Sequence, residues 1–178
     1  VTIIDGRGVQ GEGPGVAMAE GSTLDGFTVT NVGAYDDAEW NKHHATQGNE
    51  QSHEHIGQPG TAGISVIGVT CVIKHNIDGK RCSPLVVQNI CYRNMGGGIG
   101  SMHGSKATIK ANVCFQNFYA GIGHDGSSPL VIRNVCYENI RAGIGISEGA
   151  QPIVRGNSCF HNRRAGIGIR TGADTRLL

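Results

Sequence analysis

This chain predicts an all-β fold wound as a parallel β-helix, and three observations carry the prediction. The string Asn-x-Cys-x-x-Asn occurs four times at a spacing of 22 or 23 residues: Asn89 to Asn94, Asn112 to Asn117, Asn134 to Asn139 and Asn157 to Asn162. Each copy runs on into Gly-Ile-Gly, centred on Ile99, Ile122, Ile144 or Ile167. Glycine supplies 29 of 178 residues, about twice its usual share, without the triplet period of collagen. A fixed short period marks a solenoid. Helical solenoids are excluded, because a pair of packed helices needs about 33 residues or more and a 3.6-residue apolar period that these units lack.

Within the repeat, each position has a physical reason. Val86, Ile109, Val131 and Val154 hold one equivalent position and the four isoleucines of Gly-Ile-Gly another. Each aliphatic side chain therefore stacks on its own copy at the strand spacing of about 4.8 Å. Asn tolerates left-handed backbone and its amide can bond a turn. The Asn columns at 89, 112, 134, 157 and at 94, 117, 139, 162 therefore read as coil corners whose amides also bond one another. Gly104, Gly126, Gly149 and Gly172 fall where a coil closes and a positive φ is needed. Pro84, Pro129 and Pro152, with Ala107 in the remaining copy, stand at strand entry, a position that need not donate to the ladder.

From the amino terminus, Val1 to Ile4 reads as a strand with a turn at Asp5-Gly6, Gly15 to Met18 as the next strand, and Leu24 to Asn31 as a strand ending on a corner Asn. Regularity then breaks from about 33 to 60 in a polar stretch that holds the single Trp40. It reads as a long loop ejected from one corner, and long loops on rigid scaffolds carry function. Ala62 to Ser65 resumes the strands, Gly68 to Cys82 forms a shorter irregular coil, and Asp174 to Leu178 begins a further one. Residues 1–178 thus form a single β-helix domain. Solenoid ends need polar caps, so the expectation is a piece of a longer chain, or ends covered by a partner or a second copy.

Composition narrows the partners. Lys plus Arg total 15 against 14 for Asp plus Glu, a net charge of +1, which gives no electrostatic reason to expect nucleic acid. No apolar run approaches the roughly 18 residues of a membrane span, so no membrane partner is expected. In the repeats, Cys91, Cys114, Cys136 and Cys159 recur at one position and read as a column of small hydrophobes. Their parallel Cβ vectors do not favour disulfides, and several buried thiolates without an ion would be costly. Cys71 and Cys82 remain as the candidate disulfide pair.

Asn-x-Cys-x-x-Asn followed by Ala-Gly-Ile-Gly-Ile, with Leu24 to Asn31 as an opening rung, resembles the pectin-lyase-like right-handed parallel β-helix superfamily, in particular its carbohydrate-binding and sugar-hydrolase repeats. The resemblance implies a right-handed coil, a Cys column turned inward, and extracytoplasmic placement, periplasmic or secreted. It implies no single activity, since that superfamily includes pectate lyases, polygalacturonases, epimerases, phage tailspikes and a copper-delivery factor. Members that cleave polysaccharides use paired Asp carboxylates, or a calcium cluster of acids with an Arg base, on one sheet face.

Three sites follow as candidates. His103, His124, Asp125, Glu148 and Arg170 recur after Gly-Ile-Gly in consecutive coils. They would line one edge as a catalytic column, with two carboxylates as acid and base; the alternative is a solvated polar turn. His43, His44, His53 and His55 are four of the eight histidines, within 13 residues, and their nitrogens suit zinc or copper. A merely polar loop is the alternative there. Alternation about the inward isoleucines sends Gly98, Gly121, Gly143, Gly166 and Gly100, Gly123, Gly145, Gly168 outward. That leaves a flat strip for a polymer or a second chain, rimmed by Tyr119, Arg141, Arg163 and Arg164. The expected function is a non-catalytic scaffold for binding or self-assembly, with carbohydrate as the candidate ligand. The alternatives are a polysaccharide lyase or glycoside hydrolase, and a metal-binding accessory protein.

Overall fold

The computed structural model describes residues 2–7, 13–33, 36–49, 51, 62–74, 90–170 and 172–178. They wind into six coils, each giving one strand to each of three sheets. The coils hold β1 (Thr2–Asp5), β2 (Val16–Ala17) and β3 (Thr23–Asp25); β4 (Phe27–Thr30), helix α1 (Asp37–Ala45), β5 (Ile64–Ile67) and β6 (Val72–Lys74); and β7 (Ile90–Tyr92), β8 (Ile99–Met102) and β9 (Thr108–Lys110). They continue with β10 (Val113–Phe115), β11 (Ile122–Asp125) and β12 (Leu130–Ile132); β13 (Val135–Tyr137), β14 (Ala142–Ser147) and β15 (Ile153–Arg155); and β16 (Ser158–Phe160), β17 (Ala165–Ile169) and β18 (Arg176–Leu177). The first strand of every coil joins the first sheet, the second the second and the third the third, and the pairings are parallel.

The core is three stacked columns. Ile4, Val29, Cys91, Cys114, Cys136 and Cys159 lie in register on the first sheet. Val16, Ile64, Ile99, Ile122, Ile144 and Ile167 do so on the second. Leu24, Ile73, Ile109, Val131 and Val154 form the third, which Leu177 continues in register as an exposed end rung. Ile64, Ile73, Ile99, Ile109, Ile122 and Ile144 are wholly buried, and each contributes on the order of 1.5–3 kcal/mol relative to exposure. Val86 and Pro84 lie outside the described residues. Ala107, Pro129 and Pro152 immediately precede β9, β12 and β15, and their carbonyls accept from Leu130, Ile153 and Arg176 of the next coil.

Between the first and second sheets, the Asn column is a continuous hydrogen-bonded ladder. Asn94 Nδ2 donates to Asn117 Oδ1 at 3.1 Å, Asn117 Nδ2 to Asn139 Oδ1 at 3.0 Å and Asn139 Nδ2 to Asn162 Oδ1 at 2.9 Å. The second column behaves alike through Asn112, Asn134 and Asn157; Asn89 lies outside the described residues. Left-handed backbone, expected on the asparagines, falls instead on the residue before each: Arg93, Gln116, Glu138 and His161 all have φ between 51° and 53°. The sharp bend belongs to that outward-facing residue, so the Asn side chain can turn inward. The glycines expected to close coils do have positive φ, from 52° at Gly126 to 85° at Gly172.

Two expectations change. Leu24 to Asn31 is two strands, because Gly26 at φ 84° turns the chain from the third sheet into the first. The inserted stretch contains α1, capped by Asp36, whose Oδ1 accepts from the Ala38 and Glu39 amides at 2.6 and 3.1 Å. Acidic residues fill its first turn and Lys42, His43 and His44 its last, which complements the helix dipole. Cys71 is buried, but Cys82 lies outside the described residues, so the Cys71 and Cys82 pairing does too. Among the described residues, no helix is long and apolar enough to cross a membrane.

Candidate functional site

The outer face of the second sheet is built by alternation along β8, β11, β14 and β17. Ile99, Ile122, Ile144 and Ile167 point inward, and the next residues, Gly100, Gly123, Gly145 and Gly168, form an outward row in register. A Cβ added at Gly123 meets nothing within 4 Å, and at Gly145 or Gly168 it meets only alanine methyls from 3.5 Å outward. The row, with Ala120, Ala142 and Ala165 beside it, is a smooth floor along the helix axis.

The other glycines expected in this strip do a different job. Gly98, Gly121 and Gly143 are buried; they lie just before β8 and β11 and as the second residue of β14, and at each an added Cβ would run into the Asn ladder, the Cys column and the next coil's carbonyl. A Cβ at Gly121 would lie 2.8 Å from the Gly143 carbonyl oxygen, 2.9 Å from Asn139 Nδ2 and 3.1 Å from Cys136 Cβ. Gly166 has only ordinary contacts with Cys159. Gly121→Ala is therefore expected to cost about 1–3 kcal/mol by overpacking, whereas Gly123→Ala should stay within about 0.5 kcal/mol or stabilise slightly. Thermal unfolding of the two variants checks this, and equal shifts would count against it.

Four of the five residues of the predicted catalytic column share the sheet edge. Asp125 lies in register between Met102 and Ser147. Partial burial and the Glu148 carboxylate push the Asp125 carboxyl above its ordinary value, against a smaller pull from His103 and Arg170. These four charges thus share one electrostatic neighbourhood. His103 and Glu148 adopt left-handed backbone, φ 54° and 49°. That conformation recurs at the coil turns generally, so it is architecture rather than strain confined to a site.

His124 is the exception. It belongs to the next inward position, in register with Ser101 and Ile146, and is 2% exposed. Neither ring nitrogen has a hydrogen-bond partner among the described residues, and burial holds the imidazole down at about 3. It is a neutral core residue and cannot serve the outer edge.

On the other side of the floor, the insert occupies the rim expected for a ligand. Arg141 Nε donates to Gln51 Oε1 at 2.5 Å and Arg141 lies over the Tyr119 ring at 5.3 Å. Arg163 Nη2 bonds the His44 ring, and Arg164 Nη2 donates to the Gly48 carbonyl. Gln51 Nε2 donates to the Phe118 carbonyl. Burial and the neighbouring Arg164 lower the Arg141 guanidinium to about 10. The rim residues therefore anchor the insert.

The same packing separates the histidines. His43 Nε2 pairs with Glu39 Oε1 at 2.8 Å and its ring meets Phe118 edge-on at 5.1 Å. His44 stacks on Trp40 at 4.5 Å, and burial together with Arg163 lowers its basicity. His53 and His55 lie outside the described residues. Among the described residues, no three His, Cys, Asp or Glu side chains converge on a common point.

One feature went unread in the sequence. Phe115, Tyr137 and Phe160 alternate with the inward cysteines and stack outside the first sheet, 4.8 and 5.2 Å apart and within 2° of parallel. The repeat itself carried the signal, since an aromatic residue follows every repeat Cys. Tyr137 has both ring faces covered by its neighbours, so the ladder stiffens the sheet, while Phe160 at its end is exposed.

A family model described as a right handed beta helix region matches residues 7–177. No curated protein and no solved structure matches the chain.

Proposed function

The chain belongs to the right-handed β-helix family, and on that premise we propose that it is a non-catalytic scaffold that binds an extended polysaccharide along the outer face of its second sheet. The observation that carries this reading is the row Gly100, Gly123, Gly145 and Gly168, whose outward positions meet open space or, at ordinary contact distance, only alanine methyls and the Met102 methyl. Glycine at a strand surface lets a ligand approach the backbone closely. A long polymer suits a floor that repeats with every coil. The His103, Asp125, Glu148 and Arg170 edge supplies charged and polar groups for its hydroxyls.

A hydrolase is the second reading, favoured by the raised Asp125 carboxyl beside Glu148. A general acid needs a raised carboxyl near a second, ionised one.

The test is retention of the purified protein on a panel of immobilised polysaccharides, followed by assays for reducing ends and unsaturated products. Retention without product is expected. Product that vanishes in Asp125→Asn or Glu148→Gln would replace the first reading with the second. A protein that ignores every polymer yet grows in mass with concentration would mean that the floor takes a second copy instead.

A further inference from the structure

The interior cysteine column takes no part in that binding face. Cys91, Cys114, Cys136 and Cys159 lie in register on β7, β10, β13 and β16; the first three are fully buried and Cys159 is partly exposed. Side chains in register on parallel strands leave the backbone in the same direction. Their sulfurs therefore stand apart by roughly the rung spacing of about 4.8 Å, far beyond a disulfide bond of about 2.05 Å.

That separation suits a different chemistry. Two metal–thiolate bonds of about 2.3 Å laid end to end span about 4.6 Å, so a small change in χ1 brings two stacked sulfurs to opposite sides of one ion. We propose that the column is a binding site for soft, divalent cations that take two ligands in line, each held between thiolates of adjacent coils. Thiolate ligands select soft ions. The column presents sulfurs in a line, and no three metal-ligating side chains among the described residues converge on one point, so a tetrahedral ion such as zinc lacks its ligand set.

The charge balance favours the same class. One ion and two thiols give S–M–S plus two released protons, with no change of oxidation state. The product is neutral, as an apolar interior requires, whereas a monovalent ion would leave a buried negative charge. Pairing Cys91 with Cys114 and Cys136 with Cys159 uses each thiol once and sets the capacity at two ions.

Mercury(II), which prefers two thiolates in line, is the probe. The full chain carrying Cys71→Ser and Cys82→Ser is titrated in its reduced state with excess monothiol present, and stoichiometry is read by native mass spectrometry alongside the unfolding midpoint. Two retained ions and a raised midpoint are expected, since an ion that fits only the folded column stabilises it. Cys136→Ala should retain one ion. If that variant fails to fold, Cys159→Ala, at the partly exposed rung, should also retain one. Binding that lowers the midpoint, a folded protein that retains none, or two ions retained after loss of either cysteine would overturn the proposal.

Discussion

Asn139→Ala should lower the unfolding midpoint by roughly 8–16 °C, taking about 4 kcal/mol at about 2–4 °C per kcal/mol for a chain of this size. Asn139 is fully buried. Its Oδ1 accepts from the Asn117 amide at 3.1 Å and Asn117 Nδ2 at 3.0 Å, while its Nδ2 donates to the Cys114 carbonyl at 3.1 Å and Asn162 Oδ1 at 2.9 Å. Alanine leaves these partners in an interior that water does not reach, and each unsatisfied group costs about 1–3 kcal/mol. Total stability of a domain is only about 5–15 kcal/mol, so one rung decides much of it. A calorimetric scan checks the value, and a loss under about 1 kcal/mol would show that the ladder merely accompanies the fold.

Acid should destabilise the protein through His124. Its folded value of about 3 lies below the roughly 6.5 of an exposed imidazole. The unfolded chain therefore binds the proton more readily than the folded one between those values. The contribution is fully present above about pH 6.5 and is lost as pH falls toward 3, at about 1.4 kcal/mol per unit and about 4–5 kcal/mol in all. Denaturant unfolding at pH 7 and pH 4, compared between the wild type and His124→Ile, isolates this group from the other acid-sensitive ones. Isoleucine matches Ile146 in the same column and removes two unpartnered nitrogens. The variant should therefore be at least as stable at pH 7 and lose about 3 kcal/mol less on acidification. Parallel pH slopes would refute the assignment.

How much the sequence revealed depended on whether a residue repeats. The Cys and Ile columns were legible because stacking rewards the same side chain at every rung, so the period survives in the residues. The positive φ of Gly104, Gly126, Gly149 and Gly172 was legible for the same reason. His124 is legible in principle: with Ile122 inward and Gly123 outward, alternation puts His124 inside, although its place beside Asp125 gives it the look of a polar turn residue. Simple alternation sends Gly98, Gly121 and Gly143 outward, but beside the corner each is turned against the Asn ladder and the Cys column, a packing that a period-two pattern does not encode. Helix α1 had its Asp36 cap in plain view, but only His43 of the helix is buried, so no apolar period announced it. The bonds from Arg141, Arg163 and Arg164 to the insert join residues more than 89 positions apart, a separation no local pattern encodes.

Two neighbouring glycine rows have opposite surroundings, one packed against the Asn ladder and one open on its outer side. Gly123→Arg probes the second directly, because the outward position is open and the fold tolerates a side chain there. Affinity for the retained polysaccharide, measured on folded wild type and variant, should drop at least about tenfold, or about 1.4 kcal/mol, with the unfolding midpoint unchanged. Equal affinity for the two proteins would contradict the account.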